Sequence, residues 1–220
     1  LAERMASQIA GAIANAQLFL ERKQAEEALQ ESEEAARRLA KESGLIAEIG
    51  RIISSTLNID EVYERFAEKV REAIPFERIA VNTINMKDYT RTIRYVKGEI
   101  ISGTRIGEVL PLAGTGVEQA VRIKSSLLIN GSNREGMRRK FPGISSISVG
   151  AKTTMIIPLI SKDEVIGTFS FHSDKIDAYS ENDLLLAERV GSQIAGAVAN
   201  AQLFLERKRA EQEMAVIAEI

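Results

Sequence analysis

The sequence predicts an α+β fold, in which antiparallel strands form one sheet and helices are segregated to one of its faces. Three observations predict it. Two pairs of strand-like segments are each joined by a short polar turn, long helical segments frame them at both ends, and one of those helical segments nearly duplicates the other. At 220 residues and 45% hydrophobic composition the chain buries one substantial core, so one domain with extensions fits the length.

The duplicated segment comes first in the chain. Residues 1–29 (LAERMASQIAGAIANAQLFLERKQAEEAL) return at 186–214 (LAERVGSQIAGAVANAQLFLERKRAEQEM) with a constant offset of 185. Apolar positions step alternately by four and three in both: Met5, Ile9, Ala12, Ala16 and Phe19, then Val190, Ile194, Ala197, Ala201 and Phe204. That spacing is a helix with a packing seam. GLIAEIGRIISST follows the first copy at 44–56, and AVIAEI follows the second at 215–220. The natural unit is therefore a connector helix plus a domain, in tandem, and the first copy reads as the closing helix of a preceding module.

Glu21 to Glu42 is rich in Glu, Arg, Lys and Ala and predicts a helix, with Glu33/Arg37 and Glu34/Arg38 spaced for i,i+4 pairing. Leu18, Ala25, Ser32, Leu39, Ile46 and Ile53 recur every seven residues, and Leu29 and Ala36 fill the alternate position. A weak two-stranded parallel coiled coil is one reading of this seam, and a solvated spacer helix is the other.

From Asn58 the pattern is globular. Asn58 caps a helix with Glu61 at the reciprocal position, and Val62, Phe66 and Val70 share one side up to Pro75. Arg78–Asn85 and Tyr89–Val96 read as a hairpin around Met86-Lys87-Asp88. Gly98 to Leu112 reads as a loop or a ragged edge strand. Gly114-Thr115-Gly116 leads into a short helix over Val117–Ile123, Leu127–Asn130 is a short strand, and Ser132–Lys140 is a polar, basic short helix or loop. Thr153–Ile160 and Glu164–His172 form a second hairpin around Ser161-Lys162-Asp163, and Ser180 with Asp183 opens the final helix with a capping box.

Composition excludes several chemistries. With 29 basic and 31 acidic side chains the net charge is −2, too weak a global field to imply nucleic acid or an anionic membrane as partner. No aromatic platform or helix-turn-helix accompanies the basic residues. The chain has no cysteine, which removes disulfides, thiolate nucleophiles and thiolate metal sites. With a single histidine there is no Cys/His pair, no metal cluster and no supported Ser-His arrangement. There is no apolar run of about 18 residues, no signal-peptide pattern and no initiator methionine, so the expectation is a cytoplasmic piece of a longer protein without membrane contact.

The order FERIAVNTIN, PLAGTGVEQAV, SLLING, TTMIIPLISKDEVIGTFSFHS and AYSENDLLLAERVGSQIAGAVANAQLF resembles a GAF domain over roughly residues 45–205. The "PL" strand, the "VIG" strand (Pro158, Leu159, Val165, Ile166, Gly167) and the helix entered at Tyr179–Asp183 carry most of the likeness. ERKQAEEALQESEE is similar to connectors in bacterial multi-sensor histidine kinases and diguanylate cyclases. The resemblance implies a central antiparallel sheet of five or six strands, with terminal helices on one face and a small-molecule pocket on the other. It divides the chain into a connector over 1–43, a GAF domain over 44–205 and the start of a further connector over 206–220.

The implied pocket lies between the sheet and residues 126–150, with Tyr95, Asn130, Phe141, Ser146, Ser148, Thr153, Met155, Thr168 and Ser170 as its lining. Hydroxyls and amides beside Phe and Met are the usual mixture for a small-molecule site. A thioether-linked bilin needs a cysteine, and GAF-like enzymes that reduce free methionine sulfoxide use cysteines, so both routes close. The cyclic-nucleotide signature of the family is an Asn-Lys pair, a Phe and an Asp-Glu pair. Here Phe171-His172-Ser173, Tyr179 and Asp183-Leu184 keep only an aromatic and the Asp. Haem is likewise unsupported: His172 ends a strand on whose face Thr168 and Ser170 also lie, and it reads as a strand-end histidine. Arg134, Arg138, Arg139 and Lys140 beside Arg122 and Lys124 attract an anion or form a solvated face. The expected function is a non-catalytic sensory and dimerisation module, homodimeric through its terminal helices and relaying a ligand or a neighbour's state to an output domain. A purely structural spacer that binds nothing is the alternative.

Overall fold

The computed structural model describes residues 2–55, 58–98, 105–130, 139, 142 and 151–218. The chain divides into two compact units, Leu1–Gly44 and Leu45–Ile220. Helix α1 runs Ala2–Ser55. In the first unit it carries i,i+4 pairs Arg22–Glu26 at 2.7 Å and Lys23–Glu27 at 3.6 Å. The pairs expected at Glu33/Arg37 and Glu34/Arg38 are not formed, and Glu34 instead accepts from Gln30 Nε2 at 3.1 Å. Leu18, Phe19, Leu20, Leu29 and Leu39 are exposed along this helix.

The second unit holds α2 (Ile59–Arg71), β1 (Arg78–Asn85), β2 (Thr90–Gly98), β3 (Val109–Pro111), α3 (Gly116–Ile123), β4 (Leu127–Asn130), β5 (Thr153–Ser161), β6 (Glu164–Ser173) and α4 (Glu181–Ala218). The six strands form one sheet in the order β3-β2-β1-β6-β5-β4, every pairing antiparallel. Both hairpins form where polar turns interrupt alternating apolar runs. Within the segment that had two readings, Val109–Pro111 forms the edge strand β3 and pairs with Thr90–Thr92 of β2.

Both copies of the duplicated segment are helical, in α1 and in α4. The second divides its seam between two surroundings: Val190 and Ile194 are buried against the sheet, whereas Phe204 is exposed, as are its neighbour Leu203 and Met214 farther along. Ser180 and Asp183 make the expected reciprocal cap, Ser180 N donating to Asp183 Oδ2 at 2.8 Å and Asp183 N to Ser180 Oγ at 3.3 Å. At α2 the Asn58 side chain accepts from Asp60 N at 3.1 Å, while Glu61 turns toward Arg65. Thr115 caps α3 by accepting from Glu118 N at 3.0 Å, and the Glu118 carboxylate accepts from Gly114 N at 2.6 Å.

The main core fills the space between one sheet face and the helices. Leu45 and Ile49 of α1, Phe66, Ala67 and Val70 of α2, and Ala187, Val190, Ile194 and Val198 of α4 pack on Ile79, Val81, Met155, Ile157, Leu159, Phe169 and Phe171. Phe169 is the hub, its ring 5.0 Å from Phe66 and 4.4 Å from Phe171. Burying these rings out of water supplies the dominant favourable term in folding. Gly167 exists for a close approach: a Cβ there would lie 2.4 Å from the Asn82 carbonyl oxygen. The opposite, distal face carries a smaller core in which α3 (Val117, Ala120, Val121) joins Leu112, Ile129 and Ile156. Helices are therefore not confined to one face, because α3 crosses to the other.

Candidate ligand-binding face

Strand alternation sorts the functional side chains. On β1, Ile79 and Val81 enter the main core, so Arg78, Ala80, Asn82 and Ile84 turn to the distal face. Register then places Arg78 opposite His172, Ala80 opposite Ser170 and Asn82 opposite Thr168. A β-bulge between Val81 and Asn82 shifts the pairing with β2, so that Asn82 faces Ile93 and Ile84 faces Arg91. The result is a band of polar side chains at the centre of the sheet, bordered by the apolar cluster under α3.

This band is mostly withdrawn from water: Thr168, Asn82, Ser170 and Arg78 retain 0%, 1%, 3% and 5% of their exposure. Asn82 Nδ2 donates to Thr168 Oγ1 at 3.3 Å, and Asn82 Oδ1 accepts from Arg91 Nη1 at 3.4 Å. His172 Nδ1 lies 3.1 Å from Thr154 Oγ1. Removal from water, followed by the Arg78 and Arg91 charges, pushes the His172 pKa down to about 3, so the ring is neutral at physiological pH. Arg91 is also held below its ordinary value, by burial first and by Arg78 second. Its Nε is buried and has no hydrogen-bond partner. A polar band with cationic heads and hydroxyl and amide groups is suited to binding. Among the described residues no cluster of His, Asp and Glu is placed to hold a metal.

The expected lining does not converge. Thr168 and Ser170 lie on the distal face. Met155 is a main-core residue on the helix-covered face, and Thr153, two residues earlier on β5, shares its side, its hydroxyl donating to Lys175 O at 2.7 Å. Tyr95 also faces the helices, with its ring centroid 5.7 Å from that of Tyr63 and its hydroxyl 2.7 Å from Glu64 Oε2. Burial, then the bond to Glu64, raises the Tyr95 pKa, and Lys97 bridges Glu64 and Glu68. Asn130 pairs with Thr153, shares the phase of Leu128 and is exposed. The reason is register, because Met155 pairs with Phe171 and Thr154 with His172, which fixes odd β5 residues to the helix side.

Phe141, Ser146 and Ser148 lie outside the described residues, as do Arg134, Arg138 and Lys140 of the basic cluster. Of the rest of that cluster, Lys124 Nζ donates to the Asp163 carbonyl at 2.7 Å. The members that sequence reasoning missed are Arg78, Asn82 and Arg91. For Arg78 and Asn82 the signal was the alternation in RIAVN, where Ile79 and Val81 take one face and the polar residues the other.

The profile of the GAF domain family matches residues 58–198, well over half the chain. The chain belongs to the GAF domain family. Among solved structures it is similar to the GAF domain of an Acinetobacter phosphoenolpyruvate-protein phosphotransferase, at 15% identity and a TM-score of 0.62, covering 73% of this chain and 93% of that one. The GAF domain of a two-component sensor histidine kinase from Bacillus halodurans is similar at 16% identity and a TM-score of 0.57, covering 68% and 99%. The free methionine-R-sulfoxide reductase from Neisseria meningitidis, solved with its substrate, is similar at 14% identity and a TM-score of 0.61, covering 76% and 93%. Likeness at these identities speaks to the fold, which occurs both in domains of larger proteins and in an enzyme. No curated protein matches the chain. Among the described residues no helix is long and apolar enough to cross a membrane.

Proposed function

We propose that this chain is a non-catalytic sensory module that takes a small molecule on the distal face of its sheet and transmits the occupied state through its terminal helices. The observation that carries the reading is the buried polar band of Arg78, Asn82, Thr168 and Ser170, with the half-buried His172 at its end, set in a sheet whose other face is closed by packed helices. Burying polar groups in a sheet centre is costly unless something there engages them. The non-catalytic part rests on the missing cysteine, since the resemblance ties reductase chemistry in this fold to cysteines. Regulatory GAF domains among the similar structures favour a signalling context, with 1–43 and 206–220 as connectors around a domain at 44–205.

Dimerisation belongs to the same proposal. The exposed Leu18, Leu29 and Leu39 lie on the proposed heptad seam, and Leu203, Phe204 and Met214 are exposed on α4. A second copy covers such exposed apolar positions in a homodimer through the terminal helices, and small shifts in the domain then become rotation or register change at the seam. A structural spacer is the second reading, favoured by the apolar cluster under α3, which already occupies part of the distal face. A melting screen with cyclic nucleotides, haem and small metabolites separates the two. Reproducible stabilisation by one compound supports sensing, and none across the panel favours the spacer. Light scattering at high concentration that finds only monomers removes the dimer.

A further inference from the structure

Resting on the reading that the distal face takes a ligand, we infer that the ligand is a small oxyanion, carboxylate- or phosphate-bearing, gripped by Arg91 beside Arg78 with Asn82, Thr168, Ser170 and His172 around it. Arg91 is the group whose hydrogen-bonding capacity is least satisfied on this face. Its side chain leaves β2 opposite Ile84 and reaches back over the sheet to the Asn82 amide, where Nη1 donates across 3.4 Å. That is a long bond to a neutral acceptor. Nε, on the edge of the guanidinium from which planar anions are gripped in bidentate fashion, is buried and unpartnered. Among the described residues no carboxylate pairs with Arg91.

The surroundings have the same sign. Arg78, almost fully buried, is close enough for its charge to act on Arg91, and both act on His172. A half-buried guanidinium whose Nε is shut off from water, lying near a second cation, is electrostatically unfavourable, and an anion arriving at Arg91 offsets it. The neighbours suit the rest of an oxyanion: the Asn82 amide and the Thr168 and Ser170 hydroxyls donate as well as accept. A cation has no carboxylate here to meet among the described residues, and a purely apolar ligand would leave Arg91 Nε as it is.

The test uses the full chain and its single histidine. The His172 imidazole is followed by NMR while inorganic phosphate or succinate is added at constant ionic strength set by chloride, with melting temperatures measured in parallel. Wild type should show a saturable shift with at least one oxyanion. The larger response assigns phosphate or carboxylate. In Arg91→Met, which keeps the length of the side chain and removes its charge, affinity should fall about tenfold or more. The same variant should melt about 2–4 °C higher than wild type without anion, because a half-buried, incompletely paired charge is gone. Arg91→Lys, which keeps the charge but loses the fork, should retain part of the binding. The inference is overturned if neither oxyanion shifts the imidazole, or if Arg91→Met binds as wild type does. If a neutral compound from the melting screen then saturates the same face, the sensory reading stands without the anion, and if nothing binds at all both fall.

Discussion

Acidification should destabilise this domain through one residue. His172 is the chain's only histidine, and the folded state holds its pKa at about 3 against an ordinary value of 6.5. Between those values the unfolded chain binds a proton that the folded chain refuses, so stability rises with pH across the window and falls as pH drops below about 6.5. At pH 5 the full displacement is worth about 2 kcal/mol, and at pH 6 about 0.8 kcal/mol. Partial contact of the ring with solvent lowers these figures toward about 1 kcal/mol at pH 5. The groups facing the ring are Thr154 from β5, Arg78 from β1 and Arg91 from β2, and none of them titrates there. Glu64 and Glu118 are held below the usual carboxylate range by hydrogen bonds to Lys97 and Tyr89, so they respond at lower pH. Urea unfolding of wild type and His172→Gln at pH 7 and pH 5 isolates the effect as a difference of differences. The variant should lose about 1–2 kcal/mol less than wild type on acidification. Equal losses in both proteins, or an imidazole that titrates near 6.5 in the folded chain, would refute the reasoning.

Two further substitutions test the packing. Gly167→Ala places a methyl 2.4 Å from the Asn82 carbonyl oxygen, a backbone atom that cannot move aside without breaking the β1–β6 pairing, and should destabilise by about 1–3 kcal/mol in chemical denaturation. Tyr179→Phe removes a buried hydroxyl that has no partner, so it should leave stability unchanged or raise it by up to about 1 kcal/mol, read as melting temperature.

What was legible in the sequence was whatever repeats locally. The hairpins showed in alternation and polar turns, the Ser180/Asp183 cap in its spacing, and the duplicated helix in plain identity. One of the differences between the copies has a structural reason: Gly191 stands where the first copy has Ala6, and a Cβ at 191 would lie 2.9 Å from Ile157 Cγ2, where α4 closes on the sheet. The site was legible only in half, because a strand's period of two shows which residues share a face but not which face that is. Thr153 and Met155 share a face, as do Thr168 and Ser170, yet the pairing of Met155 with Phe171 sends the two sets to opposite sides. Tyr95 was misplaced for a related reason, since the bulge at Val81/Asn82 decides which β2 residues accompany Val81. Arg91 was missed because its role depends on a reach across the sheet to Asn82, a contact between strands that no local pattern carries.

The central claim is that the distal face, and not the helix-covered one, receives the ligand. Chemical-shift mapping of the isotope-labelled chain with any compound that raises its melting temperature tests this directly. The account predicts shifts concentrated at Ala80, Asn82, Thr168, Ser170 and His172. Shifts confined to Tyr95, Thr153 and Met155, or to the solvent side of α2 and α4, would contradict it.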